Sequence, residues 1–190
     1  LAKLSTIADT TQTPLSDLDD SIMKLSDDTG ISSAALAEAS YDAISAGQST
    51  EDAVGFVGKA NVLARSGFTS MSTATDTLTT ALNAYGLSAD QVSSVSDKLI
   101  TTQNLGKTTV DELGASMGKV IPTAAMYGVN LDQLSAAYIT TTKNGIGTAE
   151  STTYINGMLN ELGKSGSTTS DILKEKTGKS FSELMNEGYN

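Results

Sequence analysis

The sequence contains no histidine and no cysteine. Nucleophilic chemistry would therefore fall to a serine activated by something other than an imidazole. The best match by spacing is Gly114-Ala115-Ser116-Met117-Gly118, which fits the nucleophile-elbow pattern. That elbow sets its serine on a sharp strand-to-helix turn and uses a His partner. Here Val110, Leu113, Met117, Val120 and Ile121 recur at helical spacing around the serine, so Ser116 reads as a mid-helix residue. Ser116 with Lys119, and Ser21 with Lys24, fit S-x-x-K, but the companion motifs of that enzyme class are missing.

Phosphate and metal chemistry fare no better. Gly106-Lys107-Thr108 and Gly178-Lys179-Ser180 look like the end of a phosphate-binding loop, yet Thr101 and Leu173 stand where its first glycine belongs. Both stretches read more simply as glycines closing one helix before the cap of the next. Asp17, Asp19 and Asp20, like Asp27 and Asp28, could attract a cation, but no turn glycine and distal Glu complete a calcium loop. A solvated acidic helix face accounts for them. Glycoside hydrolysis needs two facing carboxylates. Glu38, Glu51, Glu112, Glu150 and Glu161 instead fall in or near first turns or on polar faces, where they complement the helix dipole. Tyr41, Tyr85, Tyr127, Tyr138 and Tyr154 read as core edges. The sequence thus assigns no catalytic, cofactor-binding or metal-binding residue, and no cofactor.

The elements behind these residues are helices cut by glycine. Aromatic residues make up 5% of the chain and hydrophobic residues 38%, so the core must be built from Ala, Leu, Ile, Val and Met. The net charge of -10 repels phosphate and argues against direct nucleic-acid binding. No apolar run approaches the roughly 20 residues of a membrane span. The chain starts at Leu1 without a basic and apolar leader, and reads as a piece of a longer protein without a visible targeting signal.

Gly30, Gly47, Gly67, Gly86, Gly106, Gly128 and Gly145 recur about every 20 residues, each followed shortly by a polar cap. The best-marked junction is Tyr85-Gly86-Leu87-Ser88, where Gly86 suits a left-handed helix end and Ser88 with Gln91 suits a capping box. The first apolar steps, Leu1, Leu4 and Ala8, precede a short helix from Ser16 to about Ser26. Ser32, Ser49, Thr69, Thr109, Asn130, Thr148, Ser170 and Ser180 open later helices. Pro122 should kink or restart the helix that begins at Val110. Short linkers reverse direction between neighbours. The expected fold is therefore all-α, a compact irregular array of roughly 8–10 short antiparallel helices, with an α-solenoid-like stack as the alternative. Three segments follow: a lead-in at 1–29, a core at 30–165, and a C-terminal loop with short helices at 166–190.

Several segments, taken in order, resemble phage tail tape-measure proteins, also called phage minor tail proteins. They are Ala43 to Gly47, Ala53 to Ala64, Thr77 to Gly86, Val95 to Leu99, Thr109 to Leu113, Val120 to Val129, and Thr142 to Gly147 with its Asn144-Gly145-Ile146. The resemblance covers roughly residues 30 to 165 and implies a structural component of a phage or prophage tail. Such a tape sets tail length while tube subunits polymerise around it, and leaves the tube before DNA passes. It implies tail tube protein and tail assembly chaperones as partners, multiple copies of the chain in the tail, and a place in the virion tail and, during assembly, the host cytoplasm. No catalytic residue carries over from the matched region. Two competing readings are a general helical protein-binding module and a muralytic hydrolase.

Overall fold

The computed structural model describes residues 2–188; Leu1 of the first apolar steps lies outside them. The described residues form eleven α-helices and two short 3-10 turns, with no strand. The helices are α1 (Leu15–Thr29), α2 (Ser33–Ser45), α3 (Thr50–Ser66), α4 (Met71–Tyr85), α5 (Val92–Leu105), α6 (Val110–Met117), α7 (Ile121–Met126), α8 (Leu131–Lys143), α9 (Thr148–Gly163), α10 (Thr168–Thr177) and α11 (Phe181–Asn186). The chain divides into two compact units, Leu1–Ser96 and Asp97–Asn190, and the division falls inside α5.

Local chemistry sets most helix starts. Ser32, Ser49, Thr109, Asn130 and Ser180 each accept a backbone N–H three residues on. In the last three the Glu or Gln side chain also accepts the N–H of its capping residue. Gly86 is left-handed, with φ 62°, as its place before Ser88 requires. The Gln91 side chain accepts the Ser88 N–H at 3.2 Å, but a 3-10 turn at Ala89–Gln91 intervenes before α5.

Some starts and stops differ from the sequence reading. Ser70, not Thr69, caps α4, accepting Thr73 N–H at 3.0 Å. α1 begins at Leu15 behind Pro14 and runs on to Gly30, so Ser16 is inside it. α10 begins at Thr168 behind Ser167 rather than at Ser170. The helix that starts at Val110 stops at Gly118, and α7 restarts with Pro122 in its first turn, where the missing N–H has no intrahelical partner to lose. Ser116 therefore sits in the last turn of a short helix rather than mid-helix. Splits of this kind bring the count to eleven.

In the first unit α2 packs on α3 and α4, α3 on α4, and α1 on α2 and α3. Leu18, Ile22, Leu36, Phe56, Leu63, Leu78 and Leu82 form its core, with the small buried residues Ala43, Ala53, Ala60, Ala74 and Ala81 among them. In the second unit α9 is central, packed against α6, α7, α8, α10 and α11. Its core includes Leu113, Met117, Ile121, Leu134, Tyr138, Ile155 and Leu159.

Many buried hydroxyls bond within their own helix. Ser40, Thr79, Thr102, Thr142 and Thr152 each donate to the carbonyl four residues back, at 2.7–3.0 Å. Such back-bonding satisfies a buried hydroxyl locally and slightly weakens or bends its helix. Thr75 and Ser135 are the buried hydroxyls left without a partner among the described residues.

Candidate functional site

The two stretches that look like phosphate loops are already closed by protein acceptors. Around Gly106, the Lys107 N–H donates to Thr142 Oγ1 at 3.1 Å, the Thr109 N–H to Glu112 at 3.3 Å, and the Val110 N–H to the Gln103 side chain at 2.7 Å. The Glu112 carboxylate also accepts Thr148 Oγ1 at 2.9 Å, and Thr108 pairs with Thr148 at 2.8 Å. Donors that would cradle a phosphate are engaged, and a carboxylate occupies the spot. At Gly178, the Lys179 N–H bonds Thr177 Oγ1, the Ser180 N–H bonds Glu183, and the Lys179 ammonium pairs with Glu187. Backbone and hydroxyl donation from Ser180 holds the Glu183 carboxyl below its usual range.

The other candidates are dispersed. Ser116 is buried, while Lys119 and Lys24 are exposed, and Ser21 donates to the Asp17 carbonyl. Asp17, Asp20, Asp27 and Asp28 are exposed, and Asp19 is half-buried. Among the described residues no three Asp or Glu side chains gather closely enough to hold a metal ion. Glu38 pairs with Lys3, and that same ammonium lies 4.4 Å from the Tyr41 ring centre. Tyr138 is fully buried against Thr152, and burial pushes its phenol up to about 12. Tyr127 lies edge-on to Phe181, with ring centres 6.4 Å apart.

Two features stand apart from this well-paired background. The first is Phe68, which the sequence reading passed over. In four helix ends, the N–H of the residue after a left-handed glycine bonds the carbonyl five residues back: Gln48 to Ala43, Leu87 to Leu82, Val129 to Ala124, and Ile146 to Thr141. The glycines are Gly47, Gly86, Gly128 and Gly145, as expected for this cap. The end of α3 has the same bond, Thr69 to Ala64 at 2.9 Å, but its left-handed residue is Phe68, with φ 53°. Gly67 stands one position too early, at φ -93°. A bulky side chain costs about 1–2 kcal/mol in this conformation, and Phe68 gains nothing from burial, being 91% exposed. Phe68→Gly is accordingly expected to raise stability by about 1 kcal/mol. A urea midpoint unchanged or lowered, at constant slope, would refute this.

The second feature is a cleft in the second unit. Ala136 and Ala137 of α8, Met158 and Leu162 of α9, and Phe181 and Met185 of α11 line an apolar hollow of about 310 Å³. It adjoins another of about 510 Å³ that Tyr154 borders. Tyr154, which the sequence places at a core edge, is 54% exposed, and Met158 is 50% exposed. α9 turns Thr148, Ser151, Thr152, Ile155 and Leu159 inward instead, which leaves Tyr154 and Met158 beside the buried stripe. The Tyr154 hydroxyl donates to Glu150, whose carboxylate raises the phenol above its ordinary value.

No solved structure matches this chain. The sequence profile of phage-related minor tail proteins matches residues 19–188. The chain belongs to that family. A relative described as "Probable tape measure protein", from Clostridium phage phiCD119, is 36% identical over 198 residues, an alignment covering 99% of this chain. The chain spans 21% of that relative's length. As a phage-related minor tail protein, it has a structural role in the phage tail.

Proposed function

We propose that the chain is a folded stretch of a tail tape-measure protein, whose parent sets tail length during assembly and leaves the tube before DNA is ejected. The observation that carries this reading is the identity to the probable tape measure protein across nearly the whole chain. Its partners on this reading are tail tube protein, tail assembly chaperones in the host cytoplasm, and further copies of itself, and the chain is not an enzyme. Residues 30–165 form the tape-measure core, between a lead-in at 1–29 and a C-terminal segment at 166–190.

A ruler works by extension, and a continuous helix supplies about 1.5 Å per residue. The longest helix here, α3, has 17 residues, and the helices of each unit lie against one another. This stretch therefore acts as a folded module joined to the extended part of the tape, or as a fold that opens on packing into the tube. In-frame deletions of its helical hairpins in the parent gene should impair assembly or ejection while leaving the length of completed tails unchanged. Electron micrographs of mutant phage provide the check. Viable phage with tails shorter by about 1.5 Å per deleted residue would show that this stretch is graduated like the rest.

A further inference from the structure

We infer that residues 49–165 are three copies of one helical hairpin of 39 residues, and that the fold is a tandem repeat from which a whole hairpin can be removed without unmaking the rest. The first copy is α3 with α4, the second α5 with α6 and α7, and the third α8 with α9. The glycines that follow the first helices, Gly67, Gly106 and Gly145, stand at equal intervals of 39 residues. So do Ser70, Thr109 and Thr148, at the starts of α4, α6 and α9.

The interval carries through to the core. On the first helices Phe56, Val95 and Leu134 are equivalent, as are Ala60, Leu99 and Tyr138, and all six are buried. On the second side of the hairpin Ala74, Leu113 and Thr152 match, and so do Ala81, Val120 and Leu159, again all buried. What repeats is burial, not residue type. Ala60, Leu99 and Tyr138 grow from copy to copy, so local pattern hides the unit. One junction departs from the interval, and the structure accounts for it. Tyr85-Gly86 before Ser88 recurs as Tyr127-Gly128 before Asn130, 42 residues on. Asn130 caps α8 directly, whereas the three residues Ala89–Gln91 form a 3-10 turn between Ser88 and α5. Those three residues restore the register.

Helix packing follows the same order. In the first unit α3 packs on its hairpin partner α4 and on α1 and α2, which precede it, and α4 packs on α2. In the second unit α9 packs on its partner α8, on α6 and α7 of the hairpin before, and on α10 and α11 after it. The packed pairs thus join helices of one hairpin or of consecutive hairpins, as in tandem repeats, where each unit is stabilised by itself and its nearest neighbours. α2 extends the series backwards: Ala39 and Ala43 lie 39 residues before Leu78 and Leu82 of α4, and all four are buried. At the other end α10 and α11, of 10 and 6 residues, form a shortened hairpin of the kind that closes a repeat array. The apolar hollow beside α11 is what this short pair leaves open on α8 and α9. The inference rests on the chain's own residues and is independent of the tape-measure reading.

Two deletions from the full chain test it. Removing residues 107–145 takes out one interval and joins Gly106 to Ile146, so that α9 follows α5 as α6 does in the intact chain. Gly106 then takes the place of Gly145, whose φ of 91° a glycine adopts readily. Removing residues 107–126 takes out α6 and α7 alone and sets one first helix directly after another. Amide hydrogen exchange reads α9 itself, so a first unit folded on its own cannot mimic the result. In the 107–145 deletion α9 should keep its protection to within about tenfold of the intact chain. In the 107–126 deletion it should exchange faster by roughly a hundredfold or more. Loss of α9 protection in the 107–145 deletion, or equal protection in the two deletions, would overturn the proposal.

Discussion

Replacing Gly106 with alanine should lower stability by about 2–3 kcal/mol, near the upper end of what overpacking usually costs. A Cβ at this position would lie 2.8 Å from the Thr102 carbonyl oxygen and 2.9 Å from Thr142 Oγ1. The first is backbone at the end of α5, held by the Gly106 N–H itself at 2.8 Å, and cannot step aside. Nor can the second move freely, because Thr142 Oγ1 donates to the Tyr138 carbonyl and accepts the Lys107 N–H. Making room would disrupt the hydrogen-bonded loop that joins α5 to α6. Gly118→Ala is the control, since nothing lies within 4 Å of a Cβ there and its φ of -53° suits alanine. Urea unfolding of both variants should show a clear loss for Gly106→Ala and no loss for Gly118→Ala. Equal midpoints would mean that the loop yields and the close approach has no energetic weight.

Gly106 also shows where sequence reading stops. It belongs to the series of glycines that punctuate the chain, yet it is not left-handed as Gly86 and Gly128 are; it is needed because Thr142, from α8, closes on it. Contacts between residues distant in sequence leave no local mark. What was legible was local: Ser32, Ser49, Thr109, Asn130 and Ser180 each act on a backbone group three residues away, so the pattern and the bond are the same fact. Thr69 and Ser70 are both competent caps, and adjacent competent residues leave a start uncertain by one. The division between units falls within α5, whose apolar series Val92, Val95 and Leu99 runs through it unbroken. Phe68 left one readable trace, an aromatic residue directly after a helix-ending glycine, but glycine is the residue favoured in a left-handed helix end, and the position falls on Phe68 rather than Gly67.

Phe56→Ala should cost the first unit about 3–5 kcal/mol, a large share of the 5–15 kcal/mol that typically separates folded from unfolded domains. Phe56 is 2% exposed and is one of only three phenylalanines in the sequence. The cavity term depends on how far the surroundings can collapse. Here collapse is limited, because Ala43, Ala53, Ala60, Ala74 and Ala81 of the same core have no rotamers with which to fill a void. Phe56→Leu keeps most of the volume and should cost under about 1.5 kcal/mol. Denaturant unfolding gives both values, and hydrogen exchange should show amide protection in α3 and α4 falling for the alanine variant. A loss below about 1 kcal/mol for Phe56→Ala would show that these helices close up after all, against the expected behaviour of a core aromatic.

The hydroxyls that bond back along their own helices give the fold a mechanical character. When a pulling force separates two helices, a hydroxyl shared across their interface loses its partner. Ser40, Thr79 and Thr102 keep theirs, because the accepting carbonyl travels with them. At these positions resistance to separation comes from apolar contact, which is short-ranged and non-directional, so the helices can slide and re-seat at low force. Under load such helices should part from their neighbours one at a time.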